Sequence, residues 1–331
     1  MRTIAVINLK GGVAKTITSN SVAYILASQG NRVLLVDNDK QGDASRGLNR
    51  RTQDGEGIDR IMTARHPEDW MNKLIKHTDF EGLDVLPANM RLLSANQAVM
   101  LDQTRPQQFR IRDALECVKD QYDFCIIDNA PDINVSTINA LTACDDVLIP
   151  VEIDDNTTEG LPELVSQIGY TKEDLNKDLE NFWIFITKYD RRNEAQRQGL
   201  EMIQAAGYQM LRTKIRYSRK VSESTYARIP IPLYSPRSLA AKDYEDLVNE
   251  YITAVKYATF TDPGTNTRTT KKFYSNTPSY PVSVYDTGST QQDPGIFQKF
   301  LLYARYIENA GRSPTGSLGY PDRSRSVWKH I

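Results

Sequence analysis

Short apolar runs bounded by turn residues recur along this chain: "TIAVINL" from Thr3, "RVLLVDN" from Arg32, "LDVLPAN" from Leu83, "DFCIIDN" from Asp123, "DVLIPVEI" from Asp146 and "FWIFITK" from Phe182. Between them lie longer stretches with helical spacing, among them Thr16–Gln29, Gln108–Lys119, Val135–Ala143 and Asn193–Ala206. Parallel strands cannot be joined by tight turns, so strands that alternate with helices imply crossovers covering both faces of a sheet. The expected fold class is α/β, a doubly wound, mainly parallel sheet with helices on both faces. Gly30 is suited to cap the first helix at its C-terminus. A last helix is expected from Ser238 to about Tyr257, where Leu239, Tyr244, Leu247, Val248, Tyr251 and Ile252 recur at helical intervals. The folded domain is therefore expected to span residues 1–257.

Beyond it the texture changes. Residues 258–331 are rich in Ser, Thr, Pro and Gly, a composition that buries little surface, and they are expected to form a flexible tail. Ile296–Ala310 is the exception and could form an amphipathic helix, with Ile296, Phe300, Tyr303 and Ile307 on one face. A net charge of -1 with 40% hydrophobic residues marks an ordinary globular chain and leaves room for local basic patches. No apolar run approaches the roughly 18 residues of a membrane span. The first apolar stretch runs straight into a glycine loop, so no signal peptide is read and a cytoplasmic protein is expected. Cys117, Cys125 and Cys144 have neither disulfide-framework nor zinc spacing.

The glycine loop is "INLKGGVAKTITS", from Ile7 to Ser19. Placed after a strand and at the start of a helix, it lies where unpaired N–H groups and the helix dipole favour a bound phosphate. Gly11 and Gly12 let the backbone approach the phosphates, Lys15 can reach the β and γ oxygens, and the Thr16 hydroxyl can ligand Mg²⁺. Yet the common pattern of glycine, four residues, glycine, Lys and Ser/Thr fails, because Leu9 and Ala14 stand at the glycine positions. What replaces it is Lys10, in the form K-G-G-V-x-K-T. That arrangement resembles the deviant Walker A loop of the ParA/MinD family of P-loop ATPases. The resemblance implies ATP and Mg²⁺ as cofactors and a nucleotide-binding loop of Lys10, Gly11, Gly12, Val13, Ala14, Lys15, Thr16 and Ile17. It also implies that Lys10 reaches the phosphates of a second subunit.

Later segments extend the match in the family's order. "VLLVDNDKQGDAS" puts Asp37 and Asp39 at the C-terminal end of a strand, where open α/β sheets collect ligands, and resembles the family's V-D-x-D-x-Q-G-N segment. By that resemblance Asp39 orients the attacking water and the metal shell, while Asp37 is open between a functional role and a cap on the strand end. "YDFCIIDNAPDIN" is an apolar strand ending in Asp128, the form of a Walker B aspartate that holds Mg²⁺ through water. "CDDVLIPVE", "ITKYDRRNEAQ" and "VSESTYARIPIPLYSPRSLAAKDYEDL" resemble further family segments, so the likeness covers residues 1–257. The implied catalytic set is Lys10, Lys15 and Asp39, and the implied metal set Thr16, Asp39 and Asp128.

Three departures stand out. Ala14 occupies a position where the family nearly always has glycine, and its methyl crowds the turn. Ile17 replaces a threonine, and Lys40 and Asp43 replace proline and asparagine beside Asp39.

The family contains partition ATPases that bind DNA without sequence preference and MinD-like ATPases that bind membrane. The basic segments "DRRNEAQR" and "KIRYSRK" favour DNA, with Arg192, Arg216, Arg219 and Lys220 as candidate contacts. By resemblance Arg192 and Lys220 match best. The Ile296–Ala310 segment carries Glu308 beside Lys299 and Arg305 and is followed by polar residues, which argues against a membrane anchor. The implied protein is a nucleoid-associated partition ATPase. It would form a homodimer on ATP, bind DNA non-specifically and hydrolyse slowly until stimulated by a ParB-like centromere-binding partner. The alternatives are an ATP-gated scaffold with little turnover and a MinD-like positioning ATPase.

Overall fold

All six apolar runs become strands, and two further strands lie outside them. The computed structural model describes residues 1–51, 56–154 and 157–258. Its strands are β1 (Arg2–Val6), β2 (Val33–Asn38), β3 (Lys76–His77), β4 (Leu83–Leu86), β5 (Phe124–Asn129), β6 (Asp146–Glu152), β7 (Asn181–Tyr189) and β8 (Met210–Arg216). The α-helices are α1 (Lys15–Ser28), α2 (Asp43–Gly47), α3 (Ile58–Thr63), α4 (Met71–Leu74), α5 (Arg91–Leu101), α6 (Arg110–Glu116), α7 (Val135–Ala143), α8 (Thr157–Asp174), α9 (Glu194–Ala205), α10 (Arg219–Ala227), α11 (Ile231–Tyr234) and α12 (Leu239–Ala258). The helix expected over Gln108–Lys119 is shorter at both ends. The tail and the helix expected over 296–310 lie outside the described residues.

The strands form one eight-stranded sheet in the order β3-β4-β2-β5-β1-β6-β7-β8. Only the β3–β4 pair is antiparallel. Alternate residues of the central strands enter different cores. Ile4, Val6, Val33 and Leu35 pack with Val22 and Leu26 of α1 and Tyr244, Leu247 and Tyr251 of α12. Ala5, Ile7, Leu34 and Val36 pack with Ile58, Leu92, Ile111, Leu141, Leu164 and Ile203 from the helices of the other face. Both faces being dry, these strands read as unbroken apolar runs.

Two contacts tie α12 to the centre. Tyr251 donates its hydroxyl to the Asp146 carboxylate at 2.7 Å, and the Tyr244 and Thr18 hydroxyls lie 3.2 Å apart. The last described helix therefore rests against the helix that follows the glycine loop. Gly30 has φ 87° and donates its N–H to the Ala27 carbonyl, closing α1 as expected.

Candidate functional site: the glycine loop and the carboxylates beside it

The chain leaves β1 at the C-terminal edge of the sheet, crosses the loop Ile7–Ala14 and enters α1. Asn8 shapes the entry. Its side-chain oxygen accepts the Lys10 N–H at 2.9 Å, and its amide donates to the Pro150 carbonyl at 2.8 Å. Thr187 of β7 braces the other side by donating its hydroxyl to the Val13 carbonyl at 3.1 Å. Gly11 and Gly12 are exposed, with nothing within 4 Å of where a β-carbon would stand, so the space over their backbone is open.

Ala14 caps α1 in the left-handed region, at φ 72° and ψ 27°, with its carbonyl accepting the Thr18 N–H. An L-residue there costs about 1–2 kcal/mol, against roughly 0.4–1 kcal/mol gained by being less free than glycine in the unfolded chain. The departure noted in the sequence thus sits on a strained backbone conformation. Ala14→Gly is expected to raise the melting temperature by about 1–4 °C. A thermal melt showing no rise or a fall would remove the strain argument.

Lys15 is buried, and its Nζ donates to the Lys10 carbonyl at 2.8 Å. Burial lowers its pKa, opposed by the charges of Asp128, Asp39 and Asp132. Lys10 points elsewhere, its ammonium paired with the carboxylate of Asp154 just past β6 in the same chain. Ile17 packs against the α1–α12 core, so the residue that replaces a hydroxyl serves packing.

Asp128 is the penultimate residue of β5 and is 1% exposed. It accepts the Thr16 hydroxyl at 2.8 Å and the Ser19 hydroxyl at 2.6 Å. Ser19 was not among the residues expected from the motif. It lies one helical turn after Lys15, which is the only signal the sequence offers. Burial, and the charge of Asp37 on the neighbouring strand, push Asp128 up to about 7. Asp37 is paired in register with Asp128. It is fully buried and accepts the Ser45 N–H at 2.7 Å, the Ser45 hydroxyl at 2.6 Å and the Asp39 N–H at 3.2 Å. The hydrogen bonds only partly offset its burial, which raises it to about 6. Asp37 therefore holds the loop after β2 in shape. Its neighbour Asp39 is half-buried, raised by burial, and accepts the Gln41 N–H. Gly42 permits the tight return, at φ 65°, with a hypothetical β-carbon 2.5 Å from the Ala88 carbonyl.

On the opposite face of the same strand ends, Asn38 donates to Asn129 Oδ1 at 2.8 Å and to the Ser136 carbonyl of α7 at 2.9 Å. Asn129 donates in turn to the Val6 carbonyl. Neither asparagine was expected from the motifs.

Of the candidate DNA contacts, Arg192 is exposed and paired with Asp190, and Lys220 with Glu223. Arg216 lies at the end of β8, its guanidinium held by Asp243 of α12. Arg219 is exposed.

The donor set fits a magnesium nucleotide. It comprises the Lys15 ammonium, a second ammonium on the rim that is paired with Asp154, open backbone N–H at a helix N-terminus, and a hydroxyl linked to a buried carboxylate. Mg²⁺ favours hard oxygen ligands and commonly takes one or two from the protein and the rest from phosphates and water.

A family model described as an AAA domain matches residues 1–181. The sporulation initiation inhibitor protein Soj of Bacillus subtilis is 38% identical over 248 residues, covering 75% of this chain and 96% of its own length. The chromosome partitioning protein ParA of Caulobacter vibrioides is 35% identical over 256 residues, covering 76% and 94%. Among solved structures, cobyrinic acid a,c-diamide synthase from Mycobacterium smegmatis, with a bound ATP analogue and magnesium, superposes with a TM-score of 0.66. Its identity is 28%, covering 77% of this chain and 96% of that one.

Proposed function

We propose, from the premise that this chain belongs to the ParA/MinD family of P-loop ATPases, that it is a DNA-partitioning ATPase working as an ATP-bound homodimer. The observation that carries the reading is the convergence of Lys15, Thr16 and Asp128 at the mouth of α1, with Lys10 on the rim. In this reading residues 1–257 form the nucleotide-binding domain. ATP is the substrate, and its phosphates bind along the loop from Lys10 to Ile17. Mg²⁺ would be held by Thr16 and, through water, by Asp128 and Asp39, supplying charge neutralisation on the β and γ oxygens.

The chain's own groups do the rest. Lys15 neutralises charge within its subunit, and Lys10 leaves Asp154 to do so across the interface. Asp39, steadied by Asp37 and Gly42, orients the attacking water. Catalysis is then positioning plus electrostatics. Arg192, Arg219, Lys220 and Arg216 contribute to a basic surface for DNA, and a ParB-like protein stimulates turnover. The name of one relative, the chromosome partitioning protein ParA of Caulobacter vibrioides, supports the partition role. Among the described residues no helix is long and apolar enough to cross a membrane.

The test is steady-state ATP hydrolysis with Mg²⁺, alone and with DNA and a centromere-binding protein, together with binding to random-sequence duplex. Turnover should rise with the partner. Duplex affinity in the presence of ATP should drop at least about tenfold between 50 and 200 mM salt, as counterion release requires. The strained Ala14 favours one competing reading, an ATP-gated scaffold. Background turnover under every condition, with ATP still driving dimers, would install that reading instead.

A further inference from the structure

Helix α10 buries Ser224 and rests Val221 against the core, and its other residues are exposed. At its C-terminus Arg228 adopts φ 57° and ψ 42°, the left-handed cap where glycine is favoured. The geometry is made by the chain itself, since the Ile229 N–H returns to the Ser224 carbonyl. An arginine at such a cap is strained by its own β-carbon, and among the described residues no side-chain contact compensates for it. Among the described residues its guanidinium has no side-chain partner, and Glu223 is already taken by Lys220 at 2.6 Å and the Tyr234 hydroxyl at 3.2 Å. Beside it Tyr226 is 93% exposed, and Tyr217, just before the helix, is 65% exposed. Arg219 opens α10, is exposed and likewise has no side-chain partner among the described residues. Arg219 and Tyr226 are seven residues apart, two turns along one stripe.

Two of the other candidate DNA contacts on this side are already engaged. Arg216 is clamped by Asp243, and Lys220 shares its charge with Glu223. Among the described residues, Arg219 and Arg228 at the two ends of α10 have no acidic side-chain partner; they bracket the exposed Tyr226, with Tyr217 just outside Arg219. Phosphodiesters are matched by this set: guanidiniums for the phosphate oxygens, tyrosine hydroxyls as further donors, and rings to pack on the sugar.

We propose that α10 docks on the DNA backbone through Arg228, Arg219 and Tyr226, and that the strain at Arg228 persists because its guanidinium takes a phosphate. This rests on the DNA-binding reading above and adds Arg228 and Tyr226 to the Arg219 already in it. The test uses the full chain with ATP and Mg²⁺ and a random-sequence duplex, read by fluorescence anisotropy over a salt series, alongside thermal melts. Arg228→Gly should raise the melting temperature by a few degrees while weakening duplex affinity about fivefold or more and reducing the salt slope by about one. Arg228→Lys should keep most of the affinity and gain no stability. Tyr226→Ala should weaken binding with the salt slope unchanged. Arg228→Gly that is stabilised and binds DNA like the wild type overturns the inference alone, as does Arg228→Gly that impairs only stimulation by a protein partner. A wild-type protein that binds no duplex in any nucleotide state overturns both the inference and the DNA reading.

Discussion

Lys10→Ala is expected to lower ATP turnover by about a thousandfold, the low end for a cation supplied across a subunit interface, while nucleotide binding by the single chain falls much less. In the single chain Lys10 is committed to Asp154, both side chains partly exposed at 31% and 40%. Such surface pairs contribute only about 0–1 kcal/mol, so the ammonium is released at little cost. A triphosphate enclosed between two subunits offers it several negative oxygens with less water around them. Lys15 and the loop's backbone amides remain to hold the nucleotide in Lys10→Ala, hence the split between binding and turnover. Mixing separates trans action from cis. Lys10→Ala keeps an intact loop, and Lys15→Ala can still donate Lys10, so the mixture should recover part of the activity that each lacks alone. A Lys10→Ala protein that hydrolyses ATP like the wild type would eliminate the cross-subunit lysine.

The second large effect is on stability against pH. Asp37 and Asp128 face each other across β2 and β5, raised to about 6 and about 7 from an ordinary 3.8. Between pH 4 and 7 the folded chain therefore holds protons that the unfolded chain has released. Stability from these groups is fully present below the unfolded value and is lost as pH rises through the folded ones. The loss is on the order of 3 kcal/mol for a shift of about 2–3 units. The unliganded protein is expected to melt at lower temperature at pH 7.5 than at pH 5.5. Mg²⁺ and ATP should flatten that slope, because a cation near Asp128 favours its ionised form. Asp128→Asn should flatten it without ligand. A wild-type melting temperature that rises over this interval, with the same slope in Asp128→Asn, would show that the pair does not control it.

Six strands could be read from sequence because both faces of β1, β2, β4, β5, β6 and β7 are buried and their apolar runs are unbroken. β8 could not. It is an edge strand whose exposed positions carry Arg212 and Arg216, a charge pattern that protects an edge but reads as a basic patch. The same segment offers Arg216 as a surface cation, and its partner Asp243, 27 residues away on α12, is not legible from the local pattern. In the candidate site, Lys15, Thr16 and Asp128 were legible because their spacing is a local pattern. Asn8, Ser19 and Asp154 were not, since each is defined by a partner more than a hundred residues distant. Ala14 is visible in the sequence as an anomaly, but its left-handed backbone is visible only in the dihedral angle.

The carboxamide of Asn38 joins the exits of two strands to the first turn of α7. The segment that presents Asp39 and the segment that follows Asp128 are thereby stitched into one mechanical unit beneath the loop. Moving either one without the other would break a buried hydrogen bond, so the two segments are expected to shift together with the root of the helix on the far side of the sheet.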